Sequence, residues 1–340
     1  MPFTVDTVEL EFDIHPGKTT VRSILRWKQN NAANDGGEAD KMILHGDATS
    51  VTLVSIAKNG QTLLADTDYT LSKTGMELQS PLEHGDVTEI VVEIVPENNT
   101  QLLGLYKTPD SDMYCTQCEA MGFRRITYFP DRPDNMATFT RVRIEANQAQ
   151  YPVLLSNGNL VEQGTVGDDR HYVVWGDPFP KPSYLFAAVA GNLGCISDTF
   201  VTSPSKKTVQ LTLYSEHDNV HQLHHAMTSL KNAMKWDEKR FGLEYDLDVF
   251  NIVATSFFNM GVRSLFVATS LTRSYDAMSH AVAFCRQWKT NRSISLIPRV
   301  CWLIKTLPLM QILSASRGLS GTNIFITGRA IELPAAIGSS

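Results

Sequence analysis

The chain has 340 residues, which is room for two or three domains with a sizeable hydrophobic core. Hydrophobic residues make up 43% of it and charged residues 19%, an ordinary globular composition that excludes a wholly disordered or fibrous protein. The net charge of −6 argues against a general nucleic-acid-binding protein, because such proteins usually present a basic face.

The first half of the sequence predicts β structure. Apolar residues alternate with polar ones from Val8 to Ile14, which is the period of a half-buried strand. Asn59-Gly60 lies between two strand-like runs and predicts a tight hairpin. Further strand-like runs are Thr20–Trp27, Thr52–Ile56, Glu89–Val95 and His171–Trp175. We therefore expect a β-rich first domain that ends near Gly194.

The type of element changes after the proline-rich segment Asp177–Ser183. A strand is predicted over Val209–Tyr214 and another over Leu247–Ala254. Between them, apolar residues at helical spacing predict a helix from about Asp218 to Arg240. The order of elements thus changes from all-β to mixed α/β.

Residues 262–340 differ from the rest of the chain in charge. They contain nine Lys or Arg and two acidic residues, a charge of +7, whereas residues 1–261 contain 21 basic and 34 acidic residues, a charge of −13. Their hydrophobic periodicity is weak, so we expect an irregular tail. The basic excess could suggest nucleic acid or anionic lipid as a partner.

The cysteine count and the termini predict a cytoplasmic protein. An odd number of cysteines, five, argues for a reducing compartment. Residues Met1–Ile14 show neither the basic nor the apolar region of a secretory leader. The apolar run Ser295–Leu313 is interrupted by Arg299 and Lys305, which are costly inside a bilayer, so no membrane association is expected.

Eight blocks of sequence follow the order of one known family. The chain resembles, over about residues 5–261, the aminopeptidase N family of zinc metallopeptidases (gluzincins), and within it the bacterial-type alanyl aminopeptidase branch. Met121 departs from the pattern, because the family commonly has an acidic residue there. The blocks are Tyr114–Ala120, Gly122–Tyr128, Asp131–Asp134, Tyr151–Asn159, Asp177–Pro182, Ala226–Lys231, Met234–Glu238 and Phe257–Gly261.

The resemblance implies a fold for most of the chain. Residues 1–193 would form a mainly β N-terminal domain of twisted antiparallel sheets. Residues 194–261 would form the incomplete, truncated α/β start of a thermolysin-like catalytic domain. Residues 262–340 have no counterpart in the family pattern.

The resemblance also implies chemistry. Family members release N-terminal amino acids from peptides with a free N-terminus. A zinc ion, held by His-Glu-x-x-His and a further Glu, activates the attacking water, with the Glu of that motif as general base. Gln117 and Glu119 match the residues that bind the substrate's α-ammonium group. Gly261 matches the first residue of the substrate-binding Gly-Ala-Met-Glu-Asn loop.

The family pattern stops after Gly261. The family continues Ala-Met-Glu-Asn-Lys, whereas this chain continues Val262-Arg-Ser-Leu, and His-Glu-x-x-His occurs nowhere in the 340 residues. No residue of this chain therefore takes the catalytic or zinc-binding roles, no zinc is expected to bind, and we predict no peptidase activity for the chain as written.

A change of reading frame would explain the break. Ala-Met-Glu-Asn-Lys translated one base late can give Gln287–Asn291, and the zinc helix of the family can give Gly321–Gly328. Val262-Arg263 and Phe284–Arg286 are compatible with splice boundaries. We interpret residues 262–340 as a retained intron followed by a frameshifted exon, which also explains the basic charge of the tail. The alternative is a real splice isoform, a non-catalytic protein or peptide-binding β module with its own C-terminus.

Two other residue groups have metal-ligand or redox spacing. Cys115 and Cys118 form a C-x-x-C pair without a second pair, which favours structural cysteines. His221 and His225 are four residues apart on the predicted helix, with His224 between them. No Glu accompanies them, so a solvated helix face is favoured over a zinc site.

Overall fold

Two long strands at the N-terminus, β1 (Phe3–His15) and β2 (Lys18–Gln29), pair antiparallel as a hairpin. Their apolar side chains alternate between a buried and a more exposed face, which fulfils the period-2 pattern of the sequence. The computed structural model describes residues 3–30, 42–109 and 112–256, and the backbone of residues 301–303.

The other strands complete four sheets. In chain order they are β3 (Met42–His45), β4 (Thr52–Lys58), β5 (Gln61–Thr62), β6 (Tyr69–Ser72), β7 (Gly75–Leu78), β8 (Val87–Ile94), β9 (Gly104–Lys107), β10 (Tyr114–Gln117), β11 (Ala137–Asn147), β12 (Val153–Ser156), β13 (Asn159–Val166), β14 (Arg170–Gly176), β15 (Pro180–Lys181), β16 (Ala188–Gly191), β17 (Gly194–Val201), β18 (Thr208–Ser215), β19 (Val249–Thr255) and β20 (Cys301–Leu303). The α-helix α1 spans Leu223–Phe241. Short 3-10 helices lie at Pro96–Asn98, Phe123–Arg125, Ser183–Leu185 and His217–Gln222.

Three sheets form the first domain. The largest has the order β13-β14-β11-β1-β2-β8-β4-β5, with β15 added to β11, and a four-stranded sheet has the order β12-β16-β10-β9. A small sheet has the order β3-β7-β6. All of these strands pair antiparallel except β1 and β11, which are parallel. The mainly β, mostly antiparallel fold expected for this part is therefore confirmed.

The predicted hairpin at Asn59-Gly60 is present. Both residues have positive φ, 51° and 82°, as a two-residue hairpin turn of type I′ requires. This turn joins β4 to β5, and residues Ala57 and Lys58 pair with Thr62 and Gln61 across it.

The second unit begins at Gly194 and has its own core. Its sheet has the order β17-β18-β19-β20, and α1 packs against one face. The parallel pair β18 and β19 is joined through the helix, as a crossover connection requires. The buried cluster includes Phe200, Leu211, Leu230 and Phe250.

The helix starts later than the sequence predicts. Residues His217–Gln222 form a 3-10 helix, and α1 begins only at Leu223, the first fully buried apolar residue of this segment. In the polar stretch before Leu223, only Val220 packs against the core. Tertiary packing therefore does not stabilise α-helix over residues 217–222. At the other end Gly242, with φ 67°, ends the helix and its N–H donates to the Glu238 carbonyl at 3.0 Å.

Asp237 lies on the buried side of α1 together with Met234, and only 6% of it is exposed. Within the described residues its carboxylate has no hydrogen bond or ion pair. Burial raises its pKa to about 6. Since the pKa in the folded state lies above that of the unfolded chain, ionisation of Asp237 costs stability as the pH rises through about 6, and that cost is absent below about pH 4.

Asp237→Asn is therefore expected to raise the free energy of unfolding of the second unit at pH 8 by about 2 kcal/mol and to change it little at pH 4. Urea unfolding at both pH values measures this. Asp246→Asn, at an exposed aspartate, is the control and should show no pH-dependent gain. An equal gain at both pH values would contradict the ionisation argument.

Part of the chain lies outside the described residues. This includes Gly261, the segments 287–291 and 321–328, and most of the apolar run Ser295–Leu313. Within the tail, Cys301–Leu303 pairs antiparallel with Val253–Thr255. No helix in the described ranges is both long and apolar enough to cross a bilayer.

Candidate functional site

Gln117 and Glu119 lie where β10 ends. Gln117 is the last residue of the strand and pairs with Gly104 of β9. Residues 117–122, here called the 117–122 loop, then turn back, and the Gly122 N–H donates to the Cys118 carbonyl at 2.7 Å. The structure therefore places both predicted residues at the end of β10, an inner strand of the four-stranded sheet.

The Gln117 side chain is buried without a partner. Only 1% of Gln117 is exposed, and neither its amide nitrogen nor its amide oxygen has a hydrogen bond within the described part of the chain. A buried amide without hydrogen bonds lowers the stability of the fold. A polar group that formed a hydrogen bond with it would therefore remove this cost.

Glu119 is only partly buried, and the loop beyond it is open to solvent, with Met121 61% exposed. Burial raises the pKa of the Glu119 carboxyl above its ordinary value. No cation or hydrogen-bond donor of the described residues compensates the carboxylate. A cationic group beside it would favour the ionised form and reverse the shift. The peptide bond between Glu119 and Ala120 is cis.

A buried polar network holds the chain that follows the loop. The Asp131 carboxylate, in a residue 3% exposed, accepts from the Arg124 backbone N–H at 3.2 Å, from the Arg124 Nε at 3.0 Å and from the Ser183 hydroxyl. The Asp131 N–H donates to Nδ1 of His45 at 3.2 Å. Burial, with the nearby Arg124 charge, lowers the pKa of His45, which keeps this nitrogen available as an acceptor.

Aromatic packing lies directly beneath the loop. Phe123 is fully buried and contacts three rings edge-on, those of Phe129 at 4.9 Å, Phe186 at 5.4 Å and Phe139 at 5.9 Å between centroids. Phe139 belongs to β11 of the large sheet. The 117–122 loop, which follows β10 of the four-stranded sheet, is thus also fixed to the large sheet through Phe123 and Phe139.

Gly122 leaves no room for a side chain. A Cβ there would lie 2.3 Å from the Gln117 carbonyl oxygen and 2.9 Å from Cα of Cys118. Because both obstacles are backbone atoms of the loop, Gly122→Ala is expected to shift the loop and cost about 1–3 kcal/mol of stability. Thermal unfolding measures it.

Gly167→Asn is the matched control for this substitution. Gly167 has φ +62° and open space around it, and asparagine tolerates that conformation, so its cost should stay below about 1 kcal/mol. Equal losses in the two variants would contradict the steric argument.

The cysteine pair and the helix histidines do not form a redox or metal site within the described residues. Cys115 and Cys118 are buried, and burial raises the pKa of the Cys115 thiol to about 12 and that of Cys118 well above its ordinary value. Both are unreactive thiols, in line with structural cysteines. His221, His224 and His225 are exposed. Across the described ranges no three His, Cys, Asp or Glu side chains come together as metal ligands, so these residues do not fit a zinc site.

Sequence reasoning did not identify the Asp131 network or the buried pair Asp177–Lys181. Both lie inside blocks that carry the family resemblance. The available signal for the Asp177–Lys181 pair was the position of one acidic and one basic residue within the otherwise apolar, proline-rich stretch Asp177–Pro182.

Comparison with known proteins decides the family. Residues 7–185, more than half of the chain, match the model of the peptidase M1 N-terminal domain. The chain belongs to this family. Within the M1 N-terminal domain lie both Gln117 and Glu119, and residues 194–256 follow it.

Curated relatives of this M1 chain are aminopeptidases. It is 45% identical to aminopeptidase N of Escherichia coli K12 over 259 residues, covering 76% of this chain and 28% of that protein. It is 41% identical to aminopeptidase N of Caulobacter vibrioides over 307 residues, covering 86% of this chain and 34% of that protein. The second match is longer than residues 1–261 and so includes part of the tail. The M1 chain spans about a third or less of the length of these relatives.

Solved structures agree with the M1 assignment. Aminopeptidase A of Legionella pneumophila in complex with aspartic acid is 33% identical, with a TM-score of 0.68, over 74% of this chain and 29% of that one. An M1 zinc metallopeptidase of Deinococcus radiodurans, 16% identical, has a TM-score of 0.57 over 74% of this chain and 56% of that one, which shows the shared fold.

Proposed function

We propose that this chain carries the ammonium-binding half of an aminopeptidase substrate site, and that its ligand is a peptide with a free N-terminus. The observation that carries the proposal is Glu119, a partly buried carboxylate without a cation among the described residues, on a loop that is otherwise open to solvent. A substrate α-ammonium would supply the missing charge in a charge-assisted hydrogen bond.

Gln117 takes a supporting role in this proposal. Its side chain is buried and lacks a hydrogen-bond partner in the described part, so a hydrogen bond to a polar group of the ligand would stabilise it. The bound aspartic acid of the Legionella relative supports a ligand with a free amino group.

Catalysis requires a zinc site, which this chain does not encode in its present reading frame. Zinc is the metal of the related M1 zinc metallopeptidases, but the described residues do not fit a zinc site and the sequence lacks His-Glu-x-x-His. We therefore propose that the chain as written is catalytically inactive, that residues 262–340 come from a retained intron and a displaced exon, and that the zinc motif is encoded in another frame. Its location is proposed to be the cytoplasm.

Binding is tested with matched peptides. A short peptide with a free N-terminus should bind the 340-residue chain more tightly than its N-acetylated form, as measured by calorimetry. Glu119→Gln should weaken binding of the free peptide about 10- to 100-fold, the value of a charge-assisted hydrogen bond, whereas Glu9→Gln on β1 should not. Equal affinity for free and acetylated peptides would overturn the ammonium-binding proposal.

The affinity should also fall on acidification. Because the pKa of Glu119 is raised in the free protein, the carboxyl takes up a proton at a higher pH than an ordinary glutamate, and the protonated form cannot pair with an ammonium. Affinity of the free peptide is thus expected to be lost on acidification, at a higher pH than an ordinary glutamate would require, and Glu119→Gln should remove this dependence.

Turnover distinguishes an enzyme from a binding module. The purified chain with added zinc is expected not to hydrolyse an aminoacyl arylamide; chelator-sensitive hydrolysis would refute the proposed inactivity.

Sequencing the transcript across the Gly261 codon separates the two origins of the tail. A spliced message that lacks the stretch encoding residues 262–286 supports the retained intron. If every message contains that stretch, the result supports the splice isoform or non-catalytic module.

A further inference from the structure

The segment Asp177–Pro182 leaves the first domain and returns to it within six residues; we call it the Phe179 loop. Both of its ends are attached to β11. The Asp177 N–H donates to the Phe139 carbonyl at 3.0 Å, and β15 pairs with Ala137 and Thr138. The residues between these attachments project away from the large sheet.

A buried ion pair closes the Phe179 loop. Lys181 Nζ lies 3.2 Å from Asp177 Oδ2, and the two side chains are 5% and 4% exposed. The ammonium group also lies over the Phe139 ring, 4.1 Å from its centroid. The other carboxylate oxygen, Oδ1, accepts from the Phe179 N–H at 3.2 Å, so Asp177 fixes the direction in which Phe179 leaves the loop.

The Phe179 side chain packs against the core of the second unit. Among the described residues of the first domain, it is the one that joins this cluster, whose buried members include Tyr245 and Phe250. In the opposite direction Val253 of β19 is buried in the core of the first domain, and Tyr214 of β18 and Val249 of β19 pack against that core. The two units therefore meet through Phe179 from the first domain and these three residues from the second.

The polar contacts between the two units are exposed. Asn159 of β13 donates to Asp248 at 3.0 Å and accepts from the Asp248 N–H at 2.9 Å, at the surface. Exposed contacts of this kind contribute little because water competes for the same groups. The apolar contacts, in which Phe179 is the one described residue of the first domain that reaches the second core, thus carry more of the coupling between the units.

We propose that the buried Asp177–Lys181 pair is a positioning device, which holds Phe179 in the second core and thereby sets β19 against the first domain. The 117–122 loop belongs to the first domain, so the device fixes the described end of β19 relative to the domain that carries this loop. This coupling does not rest on the proposed function.

Hydrogen exchange of the 340-residue chain measures the coupling. Phe179→Ala shortens a partly exposed side chain and leaves the first domain folded. Amides of β18 and α1 should exchange about 10- to 100-fold faster in this variant, whereas amides of β1 and β2 keep their rates. Unchanged exchange in β18 and α1 would overturn the proposal, and it would leave the peptide-binding test of Glu119 unaffected.

A double-mutant comparison shows whether Asp177 acts through Phe179. Asp177→Asn alone should also accelerate exchange in β18 and α1 about tenfold. In the Phe179→Ala background this further acceleration should disappear. In the background of Phe200→Leu, a core substitution in the second unit outside the loop, it should persist. An equal effect of Asp177→Asn in both backgrounds would show a merely structural role and would contradict the proposal.

Discussion

Replacing Asp131 by alanine is expected to lower the free energy of unfolding of the first domain by about 3–5 kcal/mol. The carboxylate is buried and accepts hydrogen bonds from the Arg124 backbone, the Arg124 guanidinium and the Ser183 hydroxyl. Its removal leaves a partly buried guanidinium without its counter-charge and a buried hydroxyl without its acceptor, and both costs add.

The same block supplies the control. Asp134 pairs with Arg132 at 2.8 Å, but their side chains are 65% and 47% exposed. An exposed ion pair contributes about 0–1 kcal/mol, so Asp134→Ala should change the free energy of unfolding little. Urea unfolding of the two variants compares aspartates three positions apart. Similar losses would mean that burial of the Asp131 network does not govern its contribution.

The half-buried strands such as β1 and β2 could be predicted because their apolar residues alternate, whereas β10 and β16, which are buried at every position, show no alternation and were not predicted. The period-2 pattern of β1 follows from one face being buried, and the Asn59-Gly60 turn follows from the positive φ that these residues tolerate. The start of α1 was predicted less accurately, at about Asp218, whereas the helix begins at Leu223. Polar residues at 217–222 have no strong local preference, and the position of the second core decides where the α-helix begins.

The candidate site was predicted in part for a similar reason. Glu119 and Gln117 could be found from the sequence because they are two residues apart in one matched block. The network beneath them joins Asp131 to Ser183 and to His45, which are 52 and 86 positions away. No local pattern links such residues, because only the pairing of the sheets brings them together. The different burial of Gln117, which is buried, and Glu119, which is partly buried, likewise depends on where β10 ends in the sheet.

Phe123→Ala is expected to cost about 3–5 kcal/mol of stability. The side chain is fully buried, and its removal leaves a cavity bordered by Phe129, Phe139 and Phe186 and takes away their edge-on contacts. Phe241→Ala is the control, since Phe241 at the end of α1 is 40% exposed and leaves no enclosed cavity. Thermal unfolding of both variants measures the difference.

The consequence of Phe123→Ala should extend to the 117–122 loop, because Phe123 begins the 3-10 helix that closes this loop. Hydrogen exchange at Gly122, whose N–H is bonded to the Cys118 carbonyl, should therefore accelerate more than exchange in β2 of the same domain. Uniform acceleration across the domain would mean that Phe123 stabilises the core as a whole and has no separate influence on the loop. A selective effect would make the aromatic cluster the support on which the position of Glu119 depends.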